Sequence, residues 1–207
     1  MTTLGSPPRA RRGATEYHHG DLRQALLDAA QDLLISAGIE AVGMREIARR
    51  VGVSHAAPYR HYASREALLA DLAASGYREL DRRFAHLPTI AEPEARFIAM
   101  AVIYVEFARE QPQVWRLMFG DSLDKSEYPH LLQVSQAVFG TLQQNLLTLG
   151  VAAPATTEAL AAWAMAHGVA RLVLDHRLDA HPDLAIEPRA LVEAAAGIFL
   201  AGLRASG

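Results

Sequence analysis

The chain has 207 residues, of which 51% are hydrophobic and 21% are charged, with no cysteine and a formal net charge of −3. This composition is that of a globular protein long enough to bury a large core, which excludes a disordered chain. Without cysteine there is no disulfide framework, thiolate metal site or cysteine nucleophile. No apolar run approaches the length of a membrane span, so we expect a cytoplasmic protein without a membrane partner.

Positive charge is concentrated near the start of the chain. Residues 1–65 contain nine arginines and six acidic residues, whereas the rest contains eleven basic and seventeen acidic residues. A basic segment attached to an acidic body is typical of a module that meets a polyanion. Residues 1–17, with Arg9, Arg11 and Arg12, are predicted to be a flexible basic arm, which is either a solvated tail or a segment that enters the minor groove of DNA.

The first predicted helix covers residues 21–37. Leucine and alanine recur there three and four positions apart, which defines one apolar helix face. Gly38 is suited to the left-handed conformation that ends a helix. Three further helices are predicted near 44–51, 55–61 and 64–86.

The predicted helices at 44–51 and 55–61 have the spacing of a helix-turn-helix. Gly52 supplies the tight turn, and Ser54 is predicted to cap the helix that follows. That helix would lie in the major groove of double-stranded DNA. Pro58 removes a backbone donor for the Ser54 carbonyl, so we expect its first turn to be tightened or irregular. The alternative is a pair of helices with a purely structural role.

The outward positions of the predicted helix at 55–61 suit contact with a nucleic acid. Tyr59 and His61 carry a hydroxyl and an imidazole on short stems, which favour phosphate oxygens. Arg60 has the reach for a phosphate or a guanine edge, and Ala56 and Ala57 suit a thymine methyl group.

The remaining predicted elements are also helical. The pattern predicts helices near 92–110, 113–120, 130–150, 155–178 and 187–205, with a polar loop at 121–129 and no alternating strand pattern. The fold class is therefore all-α, with about nine helices. The last two helices are apolar on nearly every face, which predicts a homodimer in which they form a four-helix bundle with a second copy.

Residues 18–80 resemble the DNA-binding domain of the TetR family of bacterial transcriptional regulators. The resemblance is carried by "LLDAAQDLLISAGIEAVGMREIARRVGVSHAAPYRHYASREALL". It implies a homodimer on a palindromic operator, with half-sites about 34 Å apart, and repression relieved by a small ligand. It also implies phosphate contacts for Tyr59 and His61, and for Arg65, where the family often has lysine. Gly43 and Pro58 depart from the family pattern, which usually has serine or threonine and an aliphatic residue there.

The predicted organisation has three parts: a basic arm at 1–17, a three-helix helix-turn-helix DNA-binding domain at 18–64, and a larger helical effector-binding and dimerisation domain at 65–207. The predicted DNA contacts are Arg45, Ser54, His55, Ala56, Ala57, Tyr59, Arg60, His61 and Arg65.

Aromatic and thioether side chains in the second half suggest a site for a small hydrophobic effector. "WAMAHG" at 163–168 resembles the tryptophan-histidine-glycine signature of one subgroup of the family. The alternative is that these residues fill the core. The candidate ligand-binding residues are Met100, Tyr104, Phe107, Trp115, Met118, Phe119, Trp163 and His167.

Other classes of function have weaker support. The nine histidines do not form the H-E-x-x-H pattern of a metal site, and no nucleophile elbow or phosphate-binding glycine loop is present. We therefore expect no catalytic residues, metal or cofactor. The remaining alternative is a helical small-molecule-binding or protein-interaction module without specific DNA binding.

Overall fold

The structure, a computed structural model, describes residues 19–178 and 186–206, so the predicted basic arm lies outside the described residues. All regular secondary structure in these two ranges is helical. None of the helices there is long and apolar enough to cross a bilayer. The α-helices are α1 His19–Ala37, α2 Met44–Val51, α3 Arg65–Phe84, α4 Pro93–Glu110, α5 Pro112–Phe119, α6 Pro129–Leu147, α7 Thr156–Leu174 and α8 Pro188–Ser206.

The helix ends follow local chemistry. Helices α4, α5, α6 and α8 each begin at a proline, whose missing N–H has no intrahelical partner at that position anyway. Ser64 caps α3, because its Oγ accepts a hydrogen bond from the Ala67 N–H at 3.1 Å. Gly52 ends α2 in the left-handed region at φ 78°. The predicted bounds of α2 are therefore confirmed.

The predicted α-helix at 55–61 is wrong. This segment is a turn followed by a short 3-10 helix, Pro58–Arg60, and Ser54 caps no α-helix. The Ala57 N–H donates to the Ser54 carbonyl at 2.9 Å, where an α-helix would need the N–H that Pro58 lacks. The proline thus tightened the turn as expected. It also reduces the described α-helices to eight, against about nine predicted.

Helix α3 connects the two halves of the molecule. It packs on α1 on one side and on α4, α5 and α6 on the other. At Gly76 it approaches α5 so closely that an added Cβ would lie 2.5 Å from Met118 Sδ and 2.7 Å from Val114 Cγ1. Helix α4 forms the centre of the second half, in contact with α5, α6, α7 and α8.

Candidate DNA-binding tip and effector cavity

Residues 44–65 form a basic tip at the helix-turn-helix, with five arginines and one acidic residue. The sequence predicted nine contact residues in this segment. Ala57, His61 and Arg65 are partly buried. The exposed ones are Arg45, Ser54, His55, Ala56, Tyr59 and Arg60.

The short 3-10 helix directs its side chains in opposite directions. Pro58 is buried, whereas 56% of Tyr59 is exposed and Arg60 is also exposed. Because a large aromatic side chain is usually covered in a folded protein, an exposed tyrosine within a cluster of arginines indicates a contact surface. Pro58 therefore anchors the segment while its neighbours point to solvent.

Glu46, the one acidic residue of the tip, is already paired with two arginines. Arg49 donates to both carboxylate oxygens of Glu46, at 2.8 and 2.7 Å, and Arg50 donates at 3.2 Å. These hydrogen bonds, from Arg49 first, lower the pKa of Glu46 to about 2. Arg45 and Arg60 have no ion-pair partner among the described residues, so they are the cations left to meet an anion.

Arg65, a predicted phosphate contact, is bonded to the backbone of a neighbouring segment. Its guanidinium donates to the backbone carbonyls of Val42 and Ile39, both at 2.6 Å. These bonds tie the start of α3 to the segment between α1 and α2. Arg65 thus braces the tip from behind, and only its Nη1, 3.9 Å from Glu66, is outside this pair of bonds.

A second polar cluster, the Asp71 junction, links the tip to the rest of the molecule. Arg23 and the Tyr62 hydroxyl both donate to Asp71 Oδ2, at 2.5 and 3.1 Å. His130 Nε2 lies 2.9 Å from Oδ1 of the same carboxylate, whose side chain is 13% exposed. Arg23 belongs to α1, Asp71 to α3 and His130 to the first turn of α6. One carboxylate therefore links three helices to Tyr62, which follows the 3-10 helix of the tip. Sequence reasoning missed this cluster, since its members are far apart along the chain.

The second half contains an apolar cavity of about 470 Å³ between α3, α4, α6 and α7. Of the eight predicted ligand-binding residues, Met100, Tyr104, Phe119 and Trp163 line it. The other four are Phe107, Trp115, Met118 and His167, which do not line it. The lining residues absent from the prediction are Tyr77, Phe84, Phe97, Ala101, Lys125, Ser135, Gln136, Val138, Phe139, Leu142, Gln143, Leu160, Ala162, Met165 and Ala166.

Phe107, Trp115 and Met118 are core residues, since each is at most 1% exposed. Trp115 forms a second layer, because its ring stacks on His167 with the centroids 4.7 Å apart. The missed lining residues come largely from α6 and α7. Two features of the sequence could have indicated these lining residues. They are the apolar positions 138, 139 and 142 of α6, and Lys125, the single lysine of the chain.

Trp163 and His167 meet at Tyr104. The Trp163 indole N–H donates to the Tyr104 hydroxyl at 3.3 Å, and that hydroxyl lies 3.0 Å from His167 Nδ1. Burial lowers the pKa of His167 below its ordinary value, so the ring is neutral at pH 7. In the neutral tautomer protonated at Nε2, Nδ1 accepts the Tyr104 O–H, and the hydroxyl oxygen accepts from Trp163.

These features define a class of protein: an all-helical DNA-binding regulator with a helix-turn-helix tip and a ligand cavity in its larger half. The family described as "Bacterial regulatory proteins, tetR family" matches residues 26–72, and "Tetracyclin repressor-like, C-terminal domain" matches residues 97–197. The two matches together cover more than two thirds of the chain. The protein belongs to the TetR family, whose members are DNA-binding transcriptional regulators rather than enzymes.

Individual relatives agree with this assignment. The chain is 32% identical to the HTH-type transcriptional regulator BetI of Rhizobium meliloti, over 60% of this chain and 62% of BetI. It is 31% identical to the HTH-type transcriptional activator FasR of Mycolicibacterium smegmatis, over 55% of this chain and 52% of FasR. The matches thus span a little over half of these two relatives.

A solved structure matches nearly the whole chain. A protein of unknown function from Rhodococcus sp. RHA1 superposes with a TM-score of 0.79 at 32% identity, over 91% of this chain and 98% of that one. The fold of that protein therefore matches both halves of the described structure of this chain.

Proposed function

We propose that the protein is a homodimeric repressor that binds a palindromic operator in the cytoplasm and leaves it when a small hydrophobic ligand fills the cavity. The observation that carries this proposal is the basic tip, where Tyr59 is exposed and Arg45 and Arg60 lack ion-pair partners in the described structure. An exposed cation without a protein partner is suited to a phosphate or a base edge.

Within the tip, we assign the contacts by exposure and bonding. Arg45, His55, Tyr59 and Arg60 are the leading candidates, with Ala56 positioned for a thymine methyl. Arg65 acts mainly as the brace described above. The division into a DNA-binding part at 18–64 and an effector and dimerisation part at 65–207 belongs to the same proposal, as does a role for the basic arm.

The homodimer is supported by the outer faces of α7 and α8. Leu160 and Leu172 on α7 are 49% and 43% exposed, and Ile198 on α8 is 74% exposed. Alanines and glycines next to them allow two helices to approach closely, and a two-fold copy would bury both faces at once. Such pairing also holds two tips at a fixed separation, which a palindromic site requires.

The route from ligand to DNA runs through α6. This helix lines the cavity with Val138, Phe139 and Leu142, and its first turn places His130 on the Asp71 junction. A ligand that displaces α6 would therefore disturb the carboxylate that holds Arg23 and Tyr62 at the back of the tip. Coupling of this kind needs two arrangements of the junction with different affinities for DNA.

We also place the chain in the subgroup with the tryptophan-histidine-glycine signature. The support is that Trp163 and His167 both bond to one cavity hydroxyl, that of Tyr104. A signature with this arrangement preserves the shape of the cavity wall.

The test of DNA binding uses fluorescence anisotropy with the DNA upstream of the protein's own gene. Binding should weaken steeply as salt rises, because phosphate neutralisation releases counterions. Arg60→Ala and Arg45→Ala should each weaken binding and lower the salt slope by about one. Arg109→Ala, at an exposed arginine on α4, is the matched control and should change neither.

Two results would contradict the proposal. If the wild-type protein binds this DNA no better than an unrelated duplex, a small-molecule-binding or protein-interaction module becomes the better interpretation. If Arg109→Ala weakens binding as much as Arg60→Ala, the attraction is general and the tip is not the contact surface.

A further inference from the structure

Lys125 is the one lysine in a chain with nineteen arginines. It begins the 3-10 helix Lys125–Glu127 between α5 and α6, where it is half-buried in the cavity wall. Its Nζ lies 5.2 and 5.4 Å from the ring centroids of Tyr77 and Phe119. The ammonium group of the chain's one lysine therefore lies among aromatic rings at the wall of the cavity.

Lys125 forms no ion pair within the described part of the chain. Its neighbour Asp124 is engaged instead by Ser126, whose N–H and hydroxyl donate to the same carboxylate oxygen at 2.9 and 2.6 Å. None of the described residues that line the cavity is acidic. The cavity thus contains a positive charge without a protein counter-ion.

The other polar groups at this part of the wall are already committed. The Tyr77 hydroxyl donates to the Met118 carbonyl at 2.9 Å and accepts from Lys125 at 2.7 Å. The Tyr104 hydroxyl is likewise engaged twice, since it accepts from Trp163 and lies 3.0 Å from His167 Nδ1. An ammonium group has three N–H donors, so Lys125 has two left after bonding to Tyr77.

A half-buried cation without a counter-ion is unfavourable. Burial lowers the pKa of Lys125, which shows the cost of keeping this charge away from water. An anion bound beside Nζ would favour the charged form, whereas a neutral ligand would remove solvent and add no compensation. A bound cation would be repelled.

We propose that the effector is an amphipathic carboxylate, with its acid group accepting the two remaining N–H bonds of Lys125 and its apolar body filling the rest of the cavity. This inference rests on the proposed function, because it names the chemical class of the ligand for the same site. A single ammonium group balances one negative charge, which suits a carboxylate better than a doubly charged phosphate. The volume of about 470 Å³ accommodates a molecule of moderate size.

The test compares ligands that differ only in the polar end. Dodecanoic acid, dodecanol and dodecylamine are titrated below their aggregation concentrations, with isothermal titration calorimetry as the readout. A second pair, naphthaleneacetic acid and naphthaleneethanol, covers a compact aromatic body. In at least one pair the acid should bind about tenfold more tightly than the alcohol, as expected for a charge-assisted hydrogen bond. The amine should bind most weakly.

Variants at position 125 separate charge from shape. Lys125→Met should lower the affinity for the preferred acid about tenfold and leave that for the alcohol within about twofold. Lys125→Arg keeps the charge and should retain a preference for the acid. Thermal unfolding of both variants establishes that they are folded, and the unchanged affinity for the alcohol shows that the cavity is intact.

Because there is one lysine, ¹³Cε-lysine labelling produces a single reporter signal. This signal should move on addition of the acid and much less on addition of the alcohol. The inference is overturned if neither acid binds, if acid and alcohol bind equally, or if the preference for the acid survives in Lys125→Met. DNA binding, measured on the same samples, tests the proposed function separately: equal release of DNA by acid and alcohol would remove only the anion preference.

Discussion

The basic tip and the effector cavity place positive charge in opposite environments. At the tip, Arg45 and Arg60 are exposed to solvent without ion-pair partners in the described structure. In the cavity wall, Lys125 is partly buried among aromatic rings. Solvation keeps an exposed cation inexpensive, and its attraction to phosphate is long-ranged and sensitive to salt. A half-buried cation is costly until an anion arrives, and it discriminates sharply between ligand charges.

This difference indicates how affinity and selectivity are divided. The tip can add up several modest interactions with DNA, since its arginines act on a repeating array of charges. In the cavity, the preference for a negatively charged ligand depends on one atom, Lys125 Nζ. Loss of a single arginine should therefore reduce DNA binding gradually, whereas loss of Lys125 should change which ligands are recognised.

The largest expected effect concerns the pairing of tips. Ile198→Glu places a charge on the exposed face of α8 and should convert a dimer to a monomer, which sedimentation velocity measures. Because one tip without its partner loses the benefit of simultaneous attachment, operator affinity should fall about a hundredfold. Ile35→Glu changes another exposed isoleucine, on α1, and should leave the protein dimeric. A dimeric Ile198→Glu protein would move the interface elsewhere.

A smaller effect should follow from filling the contact between α3 and α5. Gly76→Val places methyl groups where Met118 and Val114 already lie, so overpacking should lower the free energy of unfolding by about 2 kcal/mol. Urea denaturation measures this change. Gly140→Val is the control, because no atom beyond the adjacent residues and the backbone of its own helix lies within 4 Å of a Cβ added there. Equal stability of the two variants would show that α3 and α5 can separate without cost.

Coupling between the two regions is tested at the Asp71 junction. His130→Ala should leave ligand-free DNA affinity within about twofold but reduce the ligand-induced loss of affinity about fivefold, equivalent to about 1 kcal/mol of coupling. The measurement is DNA anisotropy with and without the acid that releases the wild-type protein. His86→Ala, at an exposed histidine away from the junction, is the matched control. Unchanged release in His130→Ala would exclude this route.

The smallest expected effect is the pH response of the Glu46 ion pairs. Folding lowers the pKa of Glu46 from 4.5 to about 2, so the pairs with Arg49 and Arg50 stabilise α2 above pH 4.5 and are lost as pH falls toward 2. Carboxyl ¹³C titration measures the midpoint directly. The Arg49→Ala variant, which lacks the first of the two arginine partners, serves as the comparison. The same Glu46 midpoint in both proteins would show that the arginines do not hold the carboxylate.

Local sequence signals predicted most of the helices. Gly52 and the apolar spacing of α1 act through dihedral preferences and side-chain periodicity within a few residues, so their effects are readable without the fold. Pro58 shows the limit of this reasoning. Its missing N–H predicted an irregular turn, but whether the segment stayed α-helical depended on the balance of all its hydrogen bonds.

The candidate sites divide in the same way. The exposed positions of the tip follow from a short contiguous segment, so Tyr59 and Arg60 were predicted to face outward and do. Arg65 belongs to the same segment, yet its carbonyl partners at Ile39 and Val42 come from more than twenty residues away. Its bracing position therefore required the folded arrangement.

By itself, the sequence determined the helical fold class, the helix-turn-helix, and the basic character of the tip, because periodicity, caps and charge are local properties. Only the tertiary structure decided which apolar side chains face the cavity and which fill the core. Phe107 and Trp115 have the same chemistry as Phe119 and Trp163, but the crossing of α3, α4, α6 and α7 covers the first two and leaves the second two on the cavity wall. Lys125 gained its significance in the same way, from the rings that the fold brings around it.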